Sequence, residues 1–464
     1  MASSNERATA LEAAESKLRA DGAGDAIVTA FARFHGLLES GVAGLIGEDS
    51  IEPIDRLPDS DQLTQEAGAE LLDRTVVLKL NGGLGTGMGM TKAKSLIEAR
   101  EGLSFLDVIA RQVLHLRHET GARLPLVMMN SFATRDDTLA ALARHEGIES
   151  NLPLDFLQNR VPKLRADDLH PVEWPSDRGH EWAPPGHGDL YTALVTSGML
   201  ERMLAAGYSY AFVSNADNLG ATLDRRILRW FADEDLPFLM EAADRTAADR
   251  KGGHLARRPD GGLILREIAQ TPEADIDSFQ DVDRHRFFNT NSLWVNLDAL
   301  SRRLEAGGGV LELPMIVNRK TVDPGDSSSV PVIQLESAMG AAIGLFEGAQ
   351  AVRVPRSRFA PVKTTNDLLA LRSDAYRLTD EGQVVLAEAR GGVPPVIELD
   401  SRYYKLLGDF EDRFPAGPPS LIGCERLSVE GDVIFGTGIT VRGSVAVRSP
   451  DSKAAVSDGT QLRG

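Results

Sequence analysis

Cysteine is all but missing: Cys424 is the only one in 464 residues, which excludes an intramolecular disulfide and a cysteine-based zinc cluster. Long apolar runs are missing too. No stretch approaches the roughly 18 residues of a membrane span, and the opening MASSNERATALEAAESK lacks the apolar core of a signal peptide. Positive charge is in deficit, with 50 Lys plus Arg against 68 Asp plus Glu, a net charge of −18. Such a field repels polyanions and argues against non-specific nucleic-acid or anionic-membrane binding. A phosphate ligand therefore needs a local cationic site set against the global sign. What remains, 42% hydrophobic and 25% charged residues, is the balance of an ordinary globular chain long enough for two or three domains. The expected location is the cytoplasm.

The first sixty-odd residues read as helical, because Leu11, Ala14 and Leu18, then Ile27, Phe31, Phe34 and Leu38, recur at three-and-four spacing. Pro53 and Pro58 end that pattern and read as a linker. Strands and helices then alternate. TVVLKL (75–80), LPLVMMN (124–130), YAFVSNAD (210–217) and PFLMEA (237–242) are short apolar runs suited to buried strands. Between them lie predicted helices: one opened by a Ser104/Asp107 capping box, one from Thr134 to Arg144, DLYTALVTSGMLERMLAAG, and ATLDRRILRWFAD. The alternation predicts an α/β fold, a parallel sheet with helices on both faces. Near the C-terminus Leu421, Leu427, Val433, Ile439 and Val445 stand six apart, and Val429, Phe435, Val441 and Val447 keep the same period. Five matches in one register favour a β-helix coil, with Gly431, Gly436 and Gly443 near its corners, over an antiparallel meander. The expected divisions are 1–65 (helical), 66–375 (catalytic) and 376–464 (β-helix-like).

LNGGLGTGMGMTKAKS, residues 80–95, follows a predicted strand directly, which in an open sheet is the ligand-binding end. Glycines at 82, 83, 85, 87 and 89 let a phosphate approach backbone N–H groups, and Lys92 and Lys94 add cations. A Walker loop is excluded because Ala93 precedes Lys94, and the dinucleotide fingerprint fails because Met88 stands where its last glycine belongs. PPGHGD (184–189) places His187 between two glycines at a predicted helix start, where amides favour anions. Asp217, in SNADN at a strand end, suits one carboxylate holding Mg²⁺ against phosphates. Asn289 and Asn291 lie two apart in FFNTNSLWVNL, so on an extended segment both amides face one way, toward sugar hydroxyls or a neighbouring turn. Lys363 in RFAPVKTTNDLL sits at a loop–helix junction, as a site lysine or a solvated one.

Jointly, LNGGLGTGMG, PLVMMNSF, FLQNRVPKL, APPGHGDLY, FVSNADNLGAT, EIAQTP, FNTNSLWV, IQLESAMGAAI and VPRSRFAPVKTTNDLL resemble, in order and spacing, the eukaryotic-type UTP–glucose-1-phosphate uridylyltransferases (UDP-glucose pyrophosphorylases). The resemblance runs from about residue 70 to 372. It implies a Rossmann-like, glycosyltransferase-A-like nucleotidyltransferase domain with a C-terminal left-handed β-helix-like domain and an N-terminal helical segment. It implies that Leu80, Asn81, Gly82, Gly83, Gly85, Gln158 and Gly186 bind the nucleotide, Gln158 at the uracil. It further implies His187, Asn215, Glu267, Asn289 and Asn291 around the sugar phosphate, Asp217 on Mg²⁺, and Lys94 and Lys363 at the reacting phosphates. Two departures stand out: Ala93 replaces the family's usual proline before Lys94, and Ser292 stands where many relatives carry a third asparagine. The implied reaction is attack of glucose 1-phosphate on the α-phosphorus of UTP. UDP-sugar or UDP-N-acetylhexosamine synthesis, and a non-catalytic nucleotide-sugar-binding regulator, are the alternatives. A short coil with open ends also predicts a homo-oligomer through the C-terminal segment.

Overall fold

The computed structural model describes residues 4–41, 44–246 and 249–464. Two compact units emerge: one from the segments ending at Leu78, Asn151–Val213 and Asp224–Pro355, the other from Lys79–Ser150, Ser214–Leu223 and Arg356–Gly464.

In the first unit the helices Ser4–Ala20 and Asp25–Ser40 bury the predicted apolar stripe. Ala14, Leu18, Ile27, Phe31 and Phe34 join Val161, Leu164, Ile333 and Leu335 in one cluster, each large side chain contributing about 1.5–3 kcal/mol of burial. Lys17 reinforces this packing with Glu181 at 2.5 Å and the Val172 carbonyl at 2.8 Å. The proline segment is no loose tether. Ile46 N–H donates to Gln270 O, Glu52 exchanges backbone bonds with Arg257, and Pro58 O accepts from Arg353 N–H. These pairings make it an ordered strap along the sheet.

The sheet of this unit is mixed rather than purely parallel. Phe238–Asp244 pairs parallel with Gln350–Arg353, but Phe287–Asn296 runs antiparallel to Phe238–Asp244, Tyr210–Asn215 and His254–Arg257. Strand direction depends on partners remote in sequence, so a run of apolar residues carries no mark of it. Trp294 anchors the centre, its ring 4.6 Å from that of Phe212. The long helix predicted over DLYTALVTSGMLERMLAAG is two, Leu190–Thr196 and Met199–Ala205. Gly198 at φ 68 separates them in a left-handed conformation that ends helical pairing.

In the second unit, the strand Thr75–Asn81 passes in from the first along the chain and Leu126–Asn130 is fully buried. Ser104 and Asp107 form the predicted capping box on the helix Phe105–Thr120. The C-terminal strands Val396–Leu399, Ser420–Phe435, Thr440–Val456 and Gln461–Arg463 form a four-stranded, all-parallel sheet. Leu427 pairs with Val445 and Val429 with Val447, eighteen residues apart, which is three hexads. That register excludes the antiparallel meander, and Leu421, Leu427, Val433, Phe435, Ile439 and Val441 are buried as the period requires.

Candidate active site

In the second unit a group of candidate residues gathers at the end of the Thr75–Asn81 strand. The buried Asn81 amide donates to Asn130 Oδ1 at 2.9 Å and Thr138 Oγ1 at 2.8 Å, so this side chain braces the base of the loop. Lys94 N–H donates to Gly83 O, and Leu84 bridges Ala93, closing the glycine-rich loop on itself. A Cβ on Gly83 would meet nothing within 4 Å, so its backbone is open to a ligand. Gly85, in contrast, is buried, and a Cβ there would lie 2.8 Å from Met90 Sδ; it serves loop packing. Gly82 is half-buried.

Leu80 O accepts the N–H of Ala216, which sets the Ser214–Asp217 turn beside the loop. Lys94 Nζ lies 2.8 Å from Asp217 Oδ2, an ion pair with side chains 19% and 26% exposed, within reach of solvent-borne phosphates. Asn215 O accepts from Asn218 N–H, and Asn218 in turn holds Arg358 O and the N–H of Ala360. Val362 N–H donates to Asp217 O at 3.0 Å. These bonds zip the segment carrying Lys363 onto the turn carrying Asp217. Lys363 itself is exposed, with its ammonium 5.9 Å above the Phe359 ring. Lys94, Asn215, Asp217 and Lys363 are thus brought to one end of one unit.

Sequence reading missed two braces here. Lys79, buried in an apolar strand, donates to Ser214 Oγ at 2.7 Å and Ala221 O at 2.6 Å, bracketing the Asp217 turn. A lysine inside TVVLKL was the available signal. Asn218 was visible only as the neighbour of Asp217.

The first unit carries Gln158, Gly186, His187, Glu267, Asn289 and Asn291. Gly186 adopts φ 80, and a Cβ there would fall 2.5 Å from Ser337 O, so only glycine lets the turn lie against Ser337. The Gly188 N–H then donates to Ser337 O at 2.9 Å. His187 Nδ1 accepts the Met339 N–H at 3.0 Å, and Tyr191 OH donates to Met339 O at 2.8 Å. Burial lowers the His187 pKa to about 4. With Nδ1 accepting, the neutral ring carries its proton on Nε2, a fixed donor without charge. Instead of opening a long helix, His187 sits in a 3₁₀ turn, His187–Asp189, before the short Leu190–Thr196 helix. Its donor strength therefore comes from the ring, with little help from a helix dipole.

The Asn289–Asn291 pair departs from its expected geometry. The ladder shifts so that Glu241 faces Ser292 while Ala242 faces Asn289, which leaves Thr290 and Asn291 as a bulge. Asn291 has φ 59, and the two amides engage each other, Asn289 Nδ2 donating to Asn291 Oδ1 at 2.8 Å. A bulge re-aims side chains, and non-glycine residues in this region cluster at functional sites. Ser292, the departure from the family pattern, is fully buried, so its hydroxyl lies inside the sheet. Burial raises the Glu267 pKa, and a Cβ on Gly253 would overlap its carboxyl at 2.5 Å. Its backbone N–H is capped by Gln270 Oε1 at 2.9 Å.

Among the described residues no group of three or more His, Cys, Asp or Glu side chains could hold a metal ion by itself. A single carboxylate, Asp217, suits Mg²⁺ when phosphate oxygens complete its shell. No helix among the described residues is long and apolar enough to cross a membrane.

A family model described as UTP–glucose-1-phosphate uridylyltransferase matches residues 30–442. The UTP–glucose-1-phosphate uridylyltransferase of Solanum tuberosum is 43% identical over 419 residues, 89% of this chain and 85% of its own length. That of Saccharomyces cerevisiae is 42% identical over 393 residues, 84% and 77% of the two chains. Among solved structures, a variant of Leishmania major UDP-glucose pyrophosphorylase in complex with UDP-glucose is 45% identical. It superposes with a TM-score of 0.92, covering 100% of this chain and 99% of that one. By motif, sequence and fold together, the chain belongs to the UTP–glucose-1-phosphate uridylyltransferase family.

Proposed function

We propose that the chain transfers the uridylyl group of UTP to glucose 1-phosphate, forming UDP-glucose and pyrophosphate. The observation that carries this reading is the Lys94–Asp217 pair, 2.8 Å apart, at the strand end behind the glycine-rich loop. A phosphate oxygen of the sugar phosphate attacks the α-phosphorus. The bond from that phosphorus to the β-phosphate's bridging oxygen breaks, and its electron pair leaves with pyrophosphate. The nucleophile is already an anion, so no general base is required.

The obstacle is bringing two polyanions together. Unit charges 4 Å apart interact by about 4 kcal/mol at an effective dielectric of 20, so Lys94 and Lys363 lower the barrier by meeting charge that builds on the phosphates. Asp217 would hold Mg²⁺, which when bound would supply charge neutralisation and orientation of the triphosphate. Leu80, Gly82 and Gly83 offer backbone to the nucleotide, with Asn81 bracing them and Gly85 packing the loop that presents them. Gln158 reads uracil and Gly186 allows the close approach. His187 donates Nε2–H to an oxygen without adding charge, while Asn215, Glu267, Asn289 and Asn291 hold the sugar. The parallel pairing at eighteen-residue offset supports reading the C-terminal segment as a β-helix coil whose open ends join copies into a homo-oligomer. The division at 65/66 and 375/376 and a cytoplasmic location complete the reading. Mixing the protein with UTP, Mg²⁺ and a panel of sugar 1-phosphates tests it. Pyrophosphate release fastest with glucose 1-phosphate is expected. Faster release with an N-acetylhexosamine 1-phosphate would favour that alternative, and none with any sugar would leave the non-catalytic regulator.

A further inference from the structure

The carboxylate that ends PPGHGD has no part in the reaction above. Asp189 is 3% exposed and has no ion-pair partner among the described residues. Burial raises its pKa to about 6 despite hydrogen bonds from Asn159. Both its oxygens go to that one residue: Oδ2 accepts the Asn159 backbone N–H at 2.6 Å, and Oδ1 accepts Asn159 Nδ2 at 2.8 Å. Asn159 Oδ1 accepts in turn from Thr196 Oγ1 at 3.1 Å. Asn159 adjoins Gln158, and Asp189 closes the turn that begins at His187, its own N–H donating to Gly186 O at 3.2 Å. One side chain therefore fixes the backbone behind Gln158 against the turn that carries Gly186 and His187.

We propose that Asp189 is a positioning residue that sets the selectivity for the uracil base by holding Gln158 in register with Gly186 and His187. The proposal rests on the reading of Gln158 given above. The chemistry demands a carboxylate, because both groups of Asn159 are donors and their partner must accept twice. Asparagine at 189 offers one acceptor and turns an N–H₂ against a donor, at nearly constant volume.

The test compares native protein, Asp189→Asn, Asn159→Ala, their double variant and Gln158→Ala. Calorimetry measures UTP and CTP binding, and steady-state kinetics follow wherever turnover occurs. Asp189→Asn should weaken UTP binding and raise KM about tenfold, with kcat within about threefold, and lower the UTP-over-CTP preference by a similar factor. The double variant should be no worse than the weaker single, because both break one contact. Should Asp189→Asn not fold, Asn159→Ala keeps the backbone bond and should show a smaller shift of the same sign. Unchanged UTP affinity and base preference, or a fall in kcat at constant KM, would overturn the proposal. So would undiminished preference in Gln158→Ala. A native protein that binds UTP yet releases no pyrophosphate would sink the proposed reaction while binding still reads the Asp189 claim.

Discussion

Lys94 and Asp217 neutralise each other at 2.8 Å, yet both remain accessible enough to exchange partners for the phosphate and cation proposed above. Asp217→Asn should therefore lose about 100-fold or more in kcat with little change in melting temperature, since a partly exposed pair contributes only about 1 kcal/mol. Near-normal turnover in that variant would place the metal elsewhere. Lys94→Ala and Lys363→Ala should lower kcat more than they weaken UTP binding; a raised KM at constant kcat would assign them to ground-state binding. His187 carries a different expectation. With its pKa depressed to about 4, the ring stays neutral throughout pH 5–8 and protonates only below that range. A ring titration by NMR should show no ionisation near 6.5, and one found there would remove the fixed-donor role. These residues were legible because phosphate chemistry needs glycines, lysines and a carboxylate at strand ends, and such types stand out in a sequence. Asp189 and Asn159 were not legible, and Lys79 left only the oddity of a lysine inside an apolar strand. Each acts through a partner tens of residues away, and nothing local announces that a buried polar group will be satisfied.

At the scale of elements, the strap preceding residue 60 deserves its own test. Burial pushes the Glu48 carboxyl up, but hydrogen bonds from Arg284 and Arg266 and the neighbouring His285 outweigh it and leave the pKa at about 2. Arg266 is completely buried and also meets Asp275 at 3.2 Å. The folded pKa lies below the usual carboxylate value, so this stabilisation is complete above about pH 4.5 and fades as pH falls toward 2. Glu48→Gln should cost about 2 kcal/mol at pH 7, after discounting for partial solvent screening, and almost nothing at pH 2. Equal destabilisation at both pH values would mean that packing, not charge, is what the glutamate contributes. The same scale shows where sequence reading runs out. Strand positions came from apolar runs, and the capping box from two residues three apart. The helix break at Gly198 is local, a glycine in the left-handed region with nothing within 4 Å of where a Cβ would lie, whereas the bulge at Asn291 depends on the register of its partner strand. Two asparagines two apart predict a shared face only while the strand stays regular.

Across the whole chain, a net charge of −18 sits beside a function that handles polyanions. Screening reconciles the two, because at physiological salt the Debye length is about 8 Å and local cations govern the site. The same screening would let an apolar C-terminal contact hold copies together, the association proposed above. Deleting residues 420–464 should reduce the assembly to a smaller species that still binds UTP. A full-length protein sedimenting as a monomer at micromolar concentration would refute that association. The central claim, attack of a sugar-phosphate oxygen on the α-phosphorus with pyrophosphate leaving, is tested most directly with glucose 1-phosphate labelled with ¹⁸O in its phosphate. All label should appear in UDP-glucose and none in pyrophosphate, with the two products formed in equal amounts. Label in pyrophosphate, or UTP consumed without UDP-glucose, would contradict the account.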